Sequence, residues 1–129
     1  MAYVQVVILL ALLEFLLFGH AVGRARSRYN VPAPATGGHE VFERYFRAQM
    51  NTLEQLVVFL PSIWLFAQYV NAWIAMALGV LFIVGRALYF RGYVQAPASR
   101  HAGFVISAVP NAALLIGALI GTVRAALLA

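Results

Sequence analysis

The feature that most constrains this chain is a set of four long apolar stretches, which take up most of its 129 residues. They run from about Tyr3 to Val22, Leu53 to Val70, Ala72 to Tyr89 and Phe104 to Leu128. Each is close to the roughly 20 residues that an α-helix needs to cross a hydrocarbon core of about 30 Å. The chain is therefore predicted to be all-α, an integral membrane four-helix bundle. Almost nothing is left for a second domain, so residues 1–129 are predicted to form one domain.

Composition favours a membrane protein and excludes several other classes. Hydrophobic residues make up 64% of the chain and charged residues only 10%, which is too apolar for a soluble domain of this length. The net charge of +5 does not indicate nucleic-acid binding, because the arginines flank the apolar stretches and form no soluble basic patch. Cysteine is absent, which excludes disulfides and a cysteine nucleophile. The histidines have no second ligand at metal-binding spacing, so no metal site is predicted.

The distribution of arginine predicts how the chain is oriented in the membrane. All nine basic residues are arginine, and all but Arg124 lie beside the first or the third connection between apolar stretches. By the positive-inside rule these two connections face the cytoplasm, and both termini face the other side. No basic segment precedes the first stretch and no clear cleavage site follows it, so we expect it to remain in the mature protein.

Turn-forming residues predict the connections between the helices. A segment rich in proline and glycine opposes a continuous helix, so residues 24–40 are predicted to form a loop. The second helix is predicted to begin between His39 and Phe42. Almost no residues separate the second and third stretches around Asn71, which predicts a tight antiparallel hairpin.

A stripe of polar residues enters the second apolar stretch. Arg47, Asn51 and Glu54 are spaced i, i+4 and i+7, so on an α-helix they lie on one face. A charged side chain at the centre of a membrane helix costs about 2.5–3.5 kcal/mol on insertion scales, and such side chains face a cavity or a partner. The stripe is therefore a candidate functional site.

A second polar stripe lies at the end of the third stretch. Arg86, Tyr89 and Tyr93 share one helix face at i, i+3 and i+7, and they reach the same side of the membrane as the first stripe. Arg100 follows at the entry to the fourth helix, again on that side. The two stripes and Arg100 are predicted to converge at the cytoplasmic end of the bundle.

These polar groups also have simpler structural interpretations. Arg47 and Glu54 could neutralise one another as an ion pair between or within helices, and the tyrosines of the second stripe could belong to an interfacial aromatic belt. The simplest role of the arginines in segment 24–28 is to set the orientation of the chain in the membrane, although Arg26 could reach an anionic ligand. Glu14 belongs to neither stripe and could be a hydrogen-bonding group or a transport site.

Together these motifs resemble those of the MAPEG family (membrane-associated proteins in eicosanoid and glutathione metabolism). The resemblance covers nearly the whole chain and is most specific in two segments, Phe42–Glu54 and Gly85–Tyr93. It implies a homotrimer of four-helix subunits, with glutathione held between neighbouring subunits near the cytoplasmic face. It also implies a lipophilic electrophile that reaches the site from the lipid bilayer.

The resemblance assigns roles to individual residues as well. Arg100 matches the arginine that activates the thiol in leukotriene C4 synthase-like members, so it is the expected catalytic residue. The positions that match glutathione contacts are Arg26, Arg47, Gln49, Asn51, Glu54, Arg86, Tyr89 and Tyr93, with Gln49 the weaker match. These residue types suit glutathione, whose two carboxylates and ammonium are bound by arginine and glutamate. Gln55 and Ala112 stand where leukotriene C4 synthase has aromatic residues, which favours a generalist transferase over a dedicated eicosanoid synthase.

The sequence leaves three functions open. The first is a membrane-bound glutathione transferase that conjugates glutathione to hydrophobic electrophiles, and glutathione peroxidase activity is compatible with the same residues. The second is a non-catalytic lipid-binding scaffold of the same family, which the retention of both stripes and of Arg100 disfavours. The third is a small four-helix multidrug exporter, suggested by the chain length and by Glu14.

Overall fold

The computed structural model describes all 129 residues, which form four long helices joined by short connections. The helices are α1 (Ala2–Tyr29), α2 (Glu40–Tyr69), α3 (Ala72–Gln95) and α4 (His101–Leu128), and a short 3-10 helix at Pro97–Arg100 precedes α4. Each of the four is long and apolar enough to cross a membrane. The prediction of an all-α chain with four helices of membrane-spanning length and composition is confirmed.

The helices alternate in direction through the bundle. Tyr3 and Trp73, at the starts of α1 and α3, stack with ring centroids 5.7 Å apart, and Phe18 and Phe90 stack at 4.2 Å farther along the same two helices. Helices α1 and α3 are therefore parallel, and α2 and α4 run the opposite way. One end of the bundle, the polar end, holds the α1–α2 and α3–α4 connections. The opposite end, the hairpin end, holds both termini and the α2–α3 turn.

The connection between α1 and α2 begins later than the sequence predicts. Residues 24–28 are helical, because α1 continues to Tyr29 and ends where Asn30 adopts the left-handed conformation at φ 55°. The prediction of a loop from residue 24 was wrong at this end. Arginine and alanine are good helix formers, and the first helix-breaking proline comes only at Pro32.

The starts of α2 and α3 are fixed by side-chain caps. His39 Nδ1 accepts a hydrogen bond from the Val41 N–H at 3.1 Å, just before α2 begins at Glu40. Asn71 Oδ1 accepts one from the Ile74 N–H at 3.0 Å and starts α3 directly after the end of α2. The predicted start of the second helix and the predicted tight hairpin are both confirmed.

The main apolar core lies toward the hairpin end. Phe59 and Phe82 stack there with ring centroids 4.0 Å apart, and both side chains are fully buried. The outer surface carries exposed aliphatic side chains such as Leu16 and Val57, each 69% exposed. Such a surface suits contact with lipid. In lipid the hydrophobic effect does not drive helices together, so they associate through van der Waals packing. The buried members of this core are Val4, Val7, Ala11, Leu56, Phe59, Ile63, Phe66, Ala67, Ala75, Phe82, Leu114 and Ala118.

Helices α3 and α4 approach one another closely at glycine positions. A Cβ atom added to Gly85 would lie 2.5 Å from the backbone nitrogen of Ser107, and one added to Gly103 would overlap the backbone of Tyr89. Small residues allow membrane helices to pack backbone against backbone. This glycine seam fixes the position of Tyr89 relative to α4.

Candidate functional site

The polar end is organised around Arg86, which is fully buried inside a single chain. Its Nη2 donates hydrogen bonds to Asn51 Oδ1 at 2.9 Å and to Thr52 Oγ1 at 2.8 Å, and its Nε donates to the same hydroxyl at 3.2 Å. Its Nη1 donates to Ser107 Oγ at 3.2 Å. The guanidinium thereby ties α3 to both α2 and α4. The two polar stripes meet through Asn51 and Arg86, as the sequence predicts.

Thr52 and Ser107 are site residues that the sequence analysis missed. The Thr52 hydroxyl donates to Ala48 O at 2.9 Å and the Ser107 hydroxyl to Gly103 O at 3.0 Å, each one turn back along its own helix. Because each hydroxyl proton is used in this way, the oxygen is left free to accept from Arg86. A buried guanidinium needs several hydrogen-bond acceptors, and this need could have pointed to hydroxyl side chains on the neighbouring helices.

A line of neighbouring guanidinium groups and aromatic rings, the aromatic line, leads from Arg86 to the surface at the polar end. The Arg86 Cζ lies 4.1 Å from the ring centroid of Tyr89, and the rings of Tyr89 and Tyr93 are 5.6 Å apart. The Arg100 Cζ then lies 5.4 Å from the ring centroid of Tyr93. A guanidinium over an aromatic face is electrostatically favourable. Arg86 and Arg100 therefore lie at opposite ends of the aromatic line, in which the two tyrosine rings are tilted by 57°.

A cavity of about 420 Å³ opens beside the aromatic line at the start of α4. The Arg100 Nη1 donates to Pro97 O at 2.8 Å, which holds the guanidinium beside the cavity. A permanent cation, an amide and a phenol suit an anionic, hydrogen-bonding ligand. His101, which follows Arg100 at the entry to α4 and is not predicted to bind a metal, also lines this cavity. The lining residues are Asn51, Tyr89, Pro97, Ala98, Arg100, His101 and Phe104.

Arg47 and Glu54 share the face of α2 that carries Asn51, but both are exposed on the surface of the single chain. The ion pair of the chain joins Arg44 to Glu40 at 2.7 Å, and it involves neither residue. The alternative in which Arg47 and Glu54 neutralise one another is therefore not realised within one subunit. Both charges are left facing outward.

Arg26 and Gln49 lie apart from the cavity within one chain. The Arg26 Nη1 donates to Ala35 O at 2.7 Å, and its guanidinium lies 4.9 Å from the ring centroid of Phe42, so it anchors the α1–α2 loop. Gln49 faces α1, where a Cβ added to Gly19 would lie 2.9 Å from its side-chain nitrogen. A single chain does not bring these two residues to the other predicted glutathione contacts.

Glu14 lies half-buried in the middle of α1, and its Oε1 is buried without a hydrogen-bond partner. In two contacts between α1 and α3 the α3 residue comes 72 positions after the α1 residue, and in the Tyr3–Trp73 contact it comes 70 positions after. The separation of 72 positions places Glu14 at the level of Arg86, at the boundary between the apolar core and the polar end. The two contacts are Val7–Gly79 and Phe18–Phe90.

The fold and the polar end define a four-helix membrane protein with a buried polar network beside a cationic cavity. The chain matches the MAPEG family over residues 3–120, and it belongs to that family. It is 48% identical to an uncharacterised protein of Synechocystis over 86% of this chain and 81% of that protein. Identity to microsomal glutathione S-transferase 2 of Homo sapiens is 44%, over 79% of this chain and 70% of the relative. Identity to leukotriene C4 synthase of Rattus norvegicus is 34%, over 98% and 89%.

Proposed function

We propose that this protein is a membrane-bound glutathione transferase that joins glutathione to hydrophobic electrophiles. In this proposal it works as a homotrimer, and each site lies between neighbouring subunits near the cytoplasmic face. Membership of the MAPEG family supports the proposal, because relatives that share a third or more of the sequence carry the names of a glutathione S-transferase and of leukotriene C4 synthase.

The observation that carries the proposal is the outward position of Glu54 and Arg47 on a membrane-spanning helix. Arg47 precedes the apolar stretch that begins at Leu53, whereas Glu54 lies inside it. A bare charge costs about 2.5–3.5 kcal/mol at the centre of a membrane helix, so Glu54 needs a polar environment that one chain does not provide. A neighbouring subunit with a charged ligand bound between the two chains would supply it. A single chain holds Arg26 and Gln49 apart from the cavity. In the same arrangement they would contact the ligand from the neighbouring subunit.

The chemistry of glutathione suits the residues on these faces. Its two carboxylates call for arginine, and Arg47 on the outer face of α2 is available for one of them. Its ammonium calls for a carboxylate, and Glu54 lies two turns farther along the same face. Asn51 lies between these two residues and accepts a hydrogen bond from Arg86 at 2.9 Å, so its amide group is held in a fixed orientation. The thiol then belongs beside Arg100.

The reaction needs glutathione as its thiolate. A free thiol with a pKa near 8.5 is only a few per cent ionised at about pH 7, and the permanent positive charge of a guanidinium stabilises the anion. Arg100 supplies that charge. The thiol proton leaves to water, the sulfur attacks an electrophilic carbon, and a carbon–sulfur bond forms as the leaving group departs with its electron pair. With a lipid hydroperoxide, two glutathione molecules would instead give an alcohol, water and glutathione disulfide.

A lipophilic acceptor has an apolar approach to this site. Phe104 lines the cavity and is 39% exposed at the polar end of α4, so it forms a wall between the cavity and the bilayer. An acceptor dissolved in lipid can reach the thiolate along this wall without crossing water.

Binding of radiolabelled glutathione to the purified protein in detergent, combined with its mass by analytical ultracentrifugation, tests the proposal. We expect saturable binding by a trimer and turnover with several hydrophobic electrophiles, including a lipid hydroperoxide. A scaffold or an exporter would show no saturable glutathione binding in a folded, monodisperse preparation. That result would reject the transferase.

The cytoplasmic position of the site can be tested separately, because the chain contains no cysteine. Single cysteines at Arg91 and at Asn71 place a thiol at the polar end and at the hairpin end. A membrane-impermeant reagent added from the cytoplasmic side is expected to label position 91 and to leave position 71 unlabelled. The reverse pattern would overturn the orientation.

A further inference from the structure

A second polar cavity lies between α1 and α2, away from the site around Arg100. Its volume is about 260 Å³, and none of its lining residues belongs to the cavity beside Arg100. One water molecule takes up about 30 Å³ of liquid, so the space accommodates a group of several heavy atoms such as a phosphate. The lining residues are Ala21, Arg24, Ala25, Arg28, Tyr29 and Tyr45.

The two arginines of this cavity are not neutralised by the rest of the chain. Arg24 and Arg28 lie four residues apart on α1, so their like charges repel on one helix face. Neither guanidinium forms a hydrogen bond or an ion pair, and Arg28 lies 5.5 Å from the ring centroid of Tyr29. Glu40, in the first turn of α2, is already paired with Arg44 at 2.7 Å. An external anion would remove the uncompensated repulsion.

The cavity lies at the depth of lipid headgroups. The apolar part of α1 ends at Val22, after the roughly 20 residues that cross a hydrocarbon core. The next helical turns, which carry Arg24 and Arg28, therefore reach the interface. Tyr29 and Tyr45 add the aromatic side chains that are enriched at this level.

An exposed apolar track continues from the arginines into the membrane. Leu10, Leu13 and Leu17 lie on the same face of α1 as the two arginines, at spacings of three and four residues. They are 48%, 48% and 60% exposed. A ligand with a phosphate at one end and an acyl chain at the other would satisfy the cavity and cover this track together. A soluble phosphate would satisfy only the cavity.

From this combination we propose that the cavity binds the headgroup phosphate of an anionic phospholipid, with Arg24 and Arg28 as its cationic contacts. Basic pockets between membrane helices on the cytoplasmic side recognise such headgroups. The site is distinct from the proposed glutathione site and does not depend on it. The two arginines would then bind a ligand, in addition to setting the orientation of the chain in the membrane.

Native mass spectrometry of the purified protein in detergent, titrated with phosphatidylglycerol or phosphatidylcholine, tests this site. We expect the parent protein to retain phosphatidylglycerol more tightly. The double variant R24Q/R28Q should lose roughly 30-fold in affinity, which corresponds to about 2 kcal/mol for two arginines. The matched control R91Q removes an exposed arginine at the same end outside the cavity and should leave the affinity unchanged.

A second variant tests the cavity without removing its charge. Ala21 lines the cavity, and A21F would fill it while both arginines remain. We expect A21F to abolish the preference for phosphatidylglycerol, and this variant decides the case if R24Q/R28Q does not fold. A preference that survives in A21F would overturn the proposal.

Three further outcomes would also overturn it. Equal affinity for the two lipids, or an equal loss in R91Q, would mean that general surface charge accounts for the binding. Displacement of phosphatidylglycerol by an equal concentration of soluble glycerol 3-phosphate would assign the cavity to a soluble phosphate ester. Resistance to that competitor, with loss only in R24Q/R28Q and A21F, would support the lipid site.

Discussion

The two ends of the bundle are held together by different kinds of interaction. At the hairpin end, Phe59 and Phe82 stack among aliphatic side chains, and no polar contact sets their orientation. At the polar end, Arg86 donates four hydrogen bonds to three side chains on α2 and α4. Apolar packing tolerates small rotations of a helix, whereas hydrogen bonds require specific angles. The hairpin end therefore supplies stability, and the polar end sets the geometry of the site.

The largest expected effect tests the hairpin end alone. Phe82→Ala should lower the free energy of unfolding by about 3–5 kcal/mol, because it removes a fully buried ring and leaves a cavity. Glutathione affinity of the folded variant should remain that of the parent. Unfolding in detergent and isothermal titration calorimetry measure the two quantities, with the half-exposed neighbour Leu81→Ala as the control. A parallel loss of affinity would show that the two ends are coupled.

Arg100→Ala should affect chemistry at the polar end without affecting the fold. Removal of the positive charge destabilises the thiolate, so the conjugation rate should fall on the order of 100-fold, as for loss of a single charge-stabilising group. The thiolate absorbance of bound glutathione should decrease near neutral pH and titrate at higher pH. Arg100→Lys keeps the charge and serves as the control.

Trimer formation and glutathione binding should survive in Arg100→Ala, since Arg100 is exposed and its hydrogen bond is to Pro97 O within its own turn. Full activity with an unshifted thiolate titration would assign the activation to another group. Tyr93 and Arg86 are the next candidates, because both belong to the same aromatic line.

A smaller effect is expected for the outward-facing charges of α2. Arg47→Ala and Glu54→Gln should each weaken glutathione binding about tenfold or more, because a hydrogen bond to a charged group contributes roughly 1.5–3 kcal/mol. Calorimetry on folded trimers measures the change. Arg44→Gln removes an arginine of the same helix that is already paired with Glu40, and it should leave the affinity intact. Unchanged affinity in all three variants would contradict an inter-subunit ligand on this face.

The smallest expected effect concerns the boundary between the two ends. Glu14→Leu should leave the free energy of unfolding unchanged or raise it by up to about 1 kcal/mol, because it removes a buried oxygen that has no partner. Glutathione affinity should change less than twofold. Thermal unfolding and calorimetry report both. A tenfold loss of affinity would show that Glu14 acts on the site through Arg86, at whose level it lies.

Much of the fold could be predicted from the sequence, because its features are local. Apolar length gave four spans, and Asn71 between two long apolar runs predicted the tight turn that it caps. The start of α2 after His39 followed from the end of the proline- and glycine-rich segment. The end of α1 could not be read in the same way. Charged residues at 24–28 look like a loop in a hydropathy pattern, yet they remain good helix formers.

The site was predictable in its residue types but only partly in its arrangement. Spacing placed Asn51 and Arg86 on converging faces, and their hydrogen bond agrees with that prediction. The interior acceptors Thr52 and Ser107 could not be inferred, because their role depends on how α2 and α4 are rotated against α3. The separation of Arg26 from the cavity likewise depends on its contact with the loop carbonyl of Ala35. Rotation and loop contacts are tertiary properties that periodicity does not encode.

For the proposed transferase, the glycine seam between α3 and α4 limits the size of acceptor that can enter one site. Gly103 meets the backbone beside Tyr89, and Gly92 meets the carbonyl of Ser99, so the 3-10 turn is also pressed against α3. The cavity wall formed by α3, this turn and α4 is therefore one rigid piece that does not expand around a bulky molecule. Breadth must come from the open side, where the tail of an acceptor remains in fluid lipid. Only its reactive carbon has to fit against the protein.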